Sequence, residues 1–266
     1  MQAQQQQAEG ETQAEEPQEP ITYTTETKTM TATMPVDPIT NTAWTTDGMT
    51  KLSYEQLVPS RQSDAVDKIN ATIEQAIQDT AAVTSAKAEQ QASGSADEQV
   101  ARNVCTDRLI YVTYLTDSVV CFFDLSYVTG YGPHGWAERG GIAFSLETGE
   151  QVSMSSVAGV DQSELIDLTC TAEETYLAAN PKAYSTISSK VLETTRKTLT
   201  DNQGKLKKTT PGLEDEECFC LGEDGMYYLT SDYEMGSYAD GTRNICIAAF
   251  SDQSLVGTSA KLEKGI

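Results

Sequence analysis

Histidine is almost missing from this chain: among 266 residues there is one, His134. A zinc site that draws on paired histidines cannot be assembled from it. None of the six cysteines (Cys105, Cys121, Cys170, Cys218, Cys220 and Cys246) stands in C-x-x-C spacing, so zinc-finger patterns are excluded as well. No G-x-S-x-G elbow accompanies His134, and no cysteine or serine is marked as a nucleophile. No apolar run approaches the roughly 20 residues that cross a bilayer. Basic residues are scarce, 18 against 40 acidic ones, for a net charge of -22. Such a surface repels phosphate backbones and anionic lipid heads, which argues against nucleic-acid and peripheral membrane binding. It attracts a cationic partner, and it also keeps a protein soluble without any partner.

The chain opens on a tail. Residues 1–20 are rich in Gln and Glu, and no Lys or Arg precedes Lys28. This composition reads as a disordered acidic segment. A mature chain cut just after a signal or lipid-anchor sequence, with Met1 added, would begin in the same way. The rest divides into an N-terminal α+β half, 21–128, and a C-terminal α+β half, 129–266. The even cysteine count allows three disulfides, as an exported protein would carry, and 15 connectivities. Buried thiols acting as small apolar residues are the other reading.

Periodicity places the elements. Met30, Ala32, Met34 and Val36 alternate with polar residues in a Thr-rich strand, and Pro35 marks an edge or an end. Asp47-Gly48 turns into a second strand near Met49–Tyr54. Ser63 caps a helix whose apolar face is Val66, Ile69, Ile73, Ile77 and Ala81. Three strands come next, Arg108–Leu115, Val119–Val128 and Gly140–Leu146, as an antiparallel meander. In the second, Cys121, Phe123 and Leu125 share one face, while Asp124 and Ser126 make the other partly wet. Helices are expected over Ser163–Ala179 and Tyr184–Leu199, broken at Asn180-Pro181. After the acidic run Glu214 to Glu217 come strands over Cys218–Leu221, Met226–Ser231 and Asn244–Phe250. Strands and helices arrive in blocks, so the expected class is α+β, with antiparallel sheets and helices packed on one face.

The segment between the second and third meander strands spells G-x-G-x-x-G as Gly130, Gly132 and Gly135. A dinucleotide fingerprint needs a helix to open at its third glycine. Here Pro133 sits inside the motif and a strand comes after it, so the glycines read as a corner. His134 reads as a fastener of that corner or, with a carboxylate such as Glu138, as a hydrolytic base. Cys218 and Cys220 share a strand face, and Cys246 on a nearby strand is a plausible partner for one of them. Tyr233, Glu234 and Tyr238 fall in a loop of small residues and join Tyr131, His134 and Trp136 as candidate contact residues. No metal ligand set and no cofactor is indicated.

Four stretches occur in an order that resembles a known family. They are Tyr127-Val-Thr-Gly-Tyr-Gly-Pro-His-Gly135, Phe144-Ser-Leu-Glu-Thr-Gly-Glu150, Phe219-Cys-Leu-Gly-Glu-Asp-Gly-Met-Tyr-Tyr228, and Tyr233 to Gly241. This is similar to the extracellular region of the anti-sigma-V factor family, an RsiV-like domain of unknown function also found beside some peptidoglycan deacetylase domains. The region from Ile21 to about Leu125 resembles the domain that precedes it. The resemblance implies an α+β domain outside a Gram-positive membrane, extracellular or lipid-anchored, which binds rather than catalyses. It implies lysozyme as a partner, and a cationic protein or peptidoglycan are the wider classes. Gly-Tyr-Gly-Pro-His departs from the family's Gly-Gly-Ala-His, and the six cysteines are not part of its pattern. No sigma-binding segment or membrane helix stands in the chain, so an anti-sigma role is not implied. The expectation is a non-enzymatic envelope binding domain, with a cell-wall hydrolase using His134 as the alternative.

Overall fold

The computed structural model describes residues 19–37, 42, 45–93, 104–129, 135–180, 196, 199, 218–230 and 241–249. The chain is α+β. Six strands, β1 (Tyr23–Thr33), β2 (Met49–Pro59), β3 (Val104–Leu115), β4 (Val119–Thr129), β5 (Trp136–Ser145) and β6 (Gln151–Val152), form one sheet in that spatial order. A second sheet holds β7 (Phe219–Gly222), β8 (Gly225–Leu229) and β9 (Asn244–Ala249). The helices are α1 (Asp64–Ala92), α2 (Met154–Ala158) and α3 (Gln162–Ala179).

β1 pairs with β2 along its whole length, from Tyr23 opposite Pro59 to Thr33 opposite Met49. It is an edge strand, and Pro35 lies just past its end, where it removes no ladder bond. The alternation ends with the ladder, since Met34 and Pro35 are both buried, and beyond it Gln91 takes the place of a strand. Val36 N donates to Gln91 Oε1 at 2.7 Å, and Gln91 Nε2 donates to Val36 O at 2.9 Å.

Ser63 caps α1, its Oγ accepting from Val66 N, with Asp64 and Asp67 in the first turn where the helix dipole favours anions. Val66, Ile69, Ile73 and Ile77 are buried, as their spacing predicts. The helix carries the chain from β2 to β3, and these two strands pair parallel, Lys51 opposite Asp107 through Tyr54 opposite Ile110. The other ladders among the described residues are antiparallel. A parallel neighbour needs a crossover, and α1 supplies it. Past the short parallel ladder, the Glu55 carboxylate accepts from Val112 N at 2.8 Å.

β4 is buried on both faces. Asp124 and Ser126, expected to be partly wet, are 1% and 5% exposed. α1 covers that face, where Val120, Phe122, Ile142 and Phe144 pack with Ile69, Ile73 and Ile77. Asp124 is tolerated there because Arg108 grips it with two donors, Nε to Oδ1 at 3.0 Å and Nη2 to Oδ2. Arg108 Nη1 also donates to Ala76 O at 3.1 Å, so helix and strands close around the pair.

The opposite face carries Cys121, Phe123, Leu125 and Ala143. They pack with Phe219, Leu221, Met226 and Tyr228 of the small sheet and with Leu165 and Leu177 of α3. The helices therefore divide between two clusters, with α1 in one and α2 and α3 in the other. β5 starts at Trp136 rather than Gly140, so Gly140 and Gly141 lie inside a strand. A Cβ on Gly141 would sit 2.0 Å from Phe219 O and 2.8 Å from Cys220 Cα. The glycine is what lets the β7 backbone lie directly on β5. The large sheet takes β1–β4 from the expected N-terminal half and β5–β6 from the C-terminal half. α3 ends at Ala179, at the predicted Asn180-Pro181 break. The tail up to residue 18, the helix expected over Tyr184–Leu199 apart from Arg196 and Leu199, and the acidic run Glu214 to Glu217 lie outside the described residues.

Candidate functional site

The glycine motif joins β4 to β5, which pair antiparallel with Val128 opposite Trp136. Gly135 leads straight into a strand, where a phosphate cradle would need a helix to open, so the dinucleotide reading fails. Gly135 has its own reason to be glycine, since a Cβ there would meet Val128 O at 2.5 Å. Gly130, Tyr131, Gly132, Pro133 and His134 lie outside the described residues. Trp136 opens β5 half-buried, and its Nε1 donates to Glu138 Oε1 at 3.1 Å. Residues two apart on a strand share a face, so indole and carboxylate form one unit at this end of β5. Glu138, the carboxylate of the hydrolytic expectation, already has the Trp136 indole as a partner.

On the other face of β5, one residue further, Arg139 is 8% exposed. Its Nη1 donates to Asn244 Oδ1 at 2.7 Å, and its Nη2 to Thr230 O at 2.6 Å and to Arg243 O at 2.9 Å. Thr230 and Arg243 also hold each other: Thr230 N donates to Arg243 O at 3.0 Å, and Arg243 N to Thr230 Oγ1 at 2.7 Å. These two residues are the roots of the segment that carries Tyr233, Glu234 and Tyr238, themselves outside the described residues. Arg139 thus fastens the root of one candidate segment to the strand that starts at the other. It lies three positions from Trp136, a rise of about 10 Å. Pattern reasoning passes over it, although a cation followed directly by the apolar run Gly140–Phe144 is a usable signal.

The cysteines sort by position, and no two of them are bonded in the structure. β8 lies between β7 and β9, so Cys246 is two strands away from Cys218 and Cys220. Two strand spacings are about 10 Å, beyond the span of a disulfide, so the expected Cys246 pairing does not form. Cys105 is half-buried beside the β3 irregularity, with its Sγ donating to Asp107 O at 3.3 Å. Burial pushes its pKa up to about 12 despite the nearby Arg108 cation. Burial also raises Cys170. Cys121 of β4 and Cys220 of β7 meet between the sheets, with their Sγ atoms 3.7 Å apart. Thr113 Oγ1 lies 3.2 Å from Cys220 Sγ, and Leu221 N donates to Cys121 Sγ at 3.5 Å. Burial and the adjoining Cys121 hold Cys220 well up. Burial also opposes the charged form of Cys121, but hydrogen bonds from Cys220 and Leu221 outweigh it, and that thiol is the more acidic.

Among the described residues, no helix is long and apolar enough to cross a membrane.

No protein-family model matches the chain, and no curated protein does. Among solved structures, a DUF3298 family protein from Pseudomonas aeruginosa PAO1 is similar at 14% identity. The match covers 90% of this chain and 98% of that one, with a TM-score of 0.46. A member of the same family from Bacteroides fragilis NCTC 9343 is also 14% identical, over 88% of this chain and 96% of that one, with a TM-score of 0.40.

Proposed function

We propose that this chain is a non-catalytic, extracytoplasmic binding domain of the bacterial cell envelope. In this reading it meets a cationic protein such as lysozyme, with peptidoglycan as the second class of partner. The contact residues are Tyr131, His134 and Trp136 together with Tyr233, Glu234 and Tyr238. The observation that carries the reading is the Arg139 tie, which binds the root of the second segment to the strand that begins at Trp136. Two segments rich in aromatic residues on one rigid mount suit recognition. The net charge of -22 favours and steers a cationic partner. The order of the four family-like stretches supports the extracytoplasmic setting, either secreted or lipid-anchored. The Trp136–Glu138 hydrogen bond favours binding over hydrolysis, because it engages the carboxylate that a His134 mechanism would use.

Calorimetric titration with lysozyme tests this. Heat is expected at low salt, fading toward about 0.5 M salt as the charges are screened, and reduced in Trp136→Ala. No heat at low salt sinks the lysozyme assignment, and a parallel pull-down on peptidoglycan sacculi then decides the second class. Cell-wall turnover by the purified protein that disappears in His134→Ala would overturn the non-catalytic reading.

A further inference from the structure

The two sheets are held together by side-chain packing, by Arg139, and at one point by two sulfurs that almost touch. Cys121 is on a central strand of the large sheet and Cys220 on β7, 99 positions apart in the chain. Both are completely buried. Three features bring them together. Gly141 has no side chain, so Cys220 Cα lies only 2.8 Å from where a Cβ would be. Ala143, directly opposite Cys121 on the neighbouring strand, is small. Thr113 lies beside Cys220 and keeps a separate acceptor, Cys121 O at 3.4 Å, so its hydroxyl still has a partner if the sulfurs move. A disulfide needs an S–S length near 2.05 Å, so the 3.7 Å separation must close by about 1.7 Å. Side-chain rotation on both strands can divide that movement. Cys218 and Cys246 have β8 between their strands, so the two do not approach each other in this way.

We propose that Cys121 and Cys220 are a disulfide pair that staples the small sheet to the large one. The bond forms by exchange with a small or protein disulfide while the chain folds, before both sulfurs are covered. The Cys121 thiolate attacks one sulfur of the donor disulfide and releases one donor thiolate. Cys220, as thiolate, then attacks Cys121 sulfur in the mixed disulfide and releases the second. Two protein thiols are oxidised, the donor disulfide is reduced to two thiols, and the two protons end on them. The loop closed is long, which is where a cross-link restricts the unfolded chain most.

The test is refolding of the full chain in a mixture of reduced and oxidised glutathione. Remaining thiols are then alkylated in denaturant, and peptides are mapped without reductant. The expected result is one linked peptide pair, with fragment ions placing the bond between Cys121 and Cys220 and the other four cysteines alkylated. The linked protein should melt roughly 10 °C above the same protein in dithiothreitol. Alkylation of both Cys121 and Cys220, or linkage of either to another cysteine, overturns the proposal. The pairing rests on geometry and not on the extracytoplasmic reading. If the refolded chain links but protein taken from cells carries thiols, the pairing stands and export is refuted.

Discussion

Replacing Gly141 with alanine should strip the small sheet from the large one more effectively than any change of similar size. The new Cβ would lie 2.0 Å from Phe219 O, 2.9 Å from Phe219 C and 2.8 Å from Cys220 Cα. Ordinary carbon–oxygen contact begins near 3.3 Å, so the strand must retreat by about 1.3 Å. The atoms in the way are backbone, and no rotamer change moves them aside. Overpacking costs about 1–3 kcal/mol and sometimes more. A retreat of that size also opens a gap along β7, where Phe219, Cys220 and Leu221 are all completely buried, and a gap of 0.5–1 Å forfeits roughly a quarter to a half of the dispersion energy across it. The two effects add to about 3 kcal/mol or more. In urea this reads as a lower midpoint at unchanged slope, and in a melt as a fall of roughly 6–12 °C. Gly159→Ala is the control: its φ of 69° strains an alanine, but nothing lies within 4 Å, and about 1 kcal/mol is expected. If Gly141→Ala costs no more than Gly159→Ala, β7 does not lie on β5 and the account of the interface is wrong.

Three further outcomes are expected. Asp124→Ala leaves the buried Arg108 guanidinium without its carboxylate and should cost about 3–5 kcal/mol in urea unfolding, whereas Arg108→Met combined with Asp124→Leu should cost far less; equal losses would show that the charges themselves are needed. Cys105 keeps its proton in the fold up to about pH 12 against an ordinary 9.0, with burial as the main cause, so it adds no pH dependence below about 9. Between those values the unfolded chain releases the proton and the folded chain does not, so stability falls as pH rises; melts from pH 8 to 11 should fall less steeply in Cys105→Ala, and parallel slopes would refute the assignment. Arg139→Lys cannot serve Asn244 Oδ1, Thr230 O and Arg243 O together, and should lower stability by about 1–2 kcal/mol in urea unfolding.

Local periodicity was enough for α1 and the β3–β4–β5 meander, because Val66, Ile69, Ile73 and Ile77 repeat at helical spacing and Phe123 and Leu125 at strand spacing. What it could not supply was anything set by a distant partner. Asp124 reads as part of a partly wet face because alternation sets it opposite Phe123 and Leu125, and its partner Arg108 comes from another strand. The parallel pairing of β2 with β3 leaves no mark on either strand and is explained only by α1 as a crossover. Gly140 and Gly141 read as the start of the third meander strand, whereas they lie inside it, where a glycine marks a close backbone approach. Cys246 reads as a plausible partner for Cys218 or Cys220 when its strand is taken as their neighbour, and the strand order puts β8 between. For the candidate contact residues, residue types are legible in the sequence, and the described structure adds their mounts, Trp136 on β5 and the Thr230–Arg243 closure.

The mounts and the sheet interface are written into one face of one strand. Alternation puts Arg139, Gly141 and Ala143 of β5 toward the small sheet, while Ile142 and Phe144 face α1. Arg139 fixes the ends of β8 and β9, Gly141 admits β7, and Ala143 stands opposite Cys121. Each does a different part of one task, so a change at any of them moves the whole small sheet. The proposed recognition through the Trp136 end and the segment rooted at Thr230 and Arg243 would then depend on the same contacts as stability. Gly141→Ala touches neither segment, yet it should weaken the lysozyme heat along with the melting point. A variant that melts early and binds unchanged would separate the two and show that the partner is met on β5 alone.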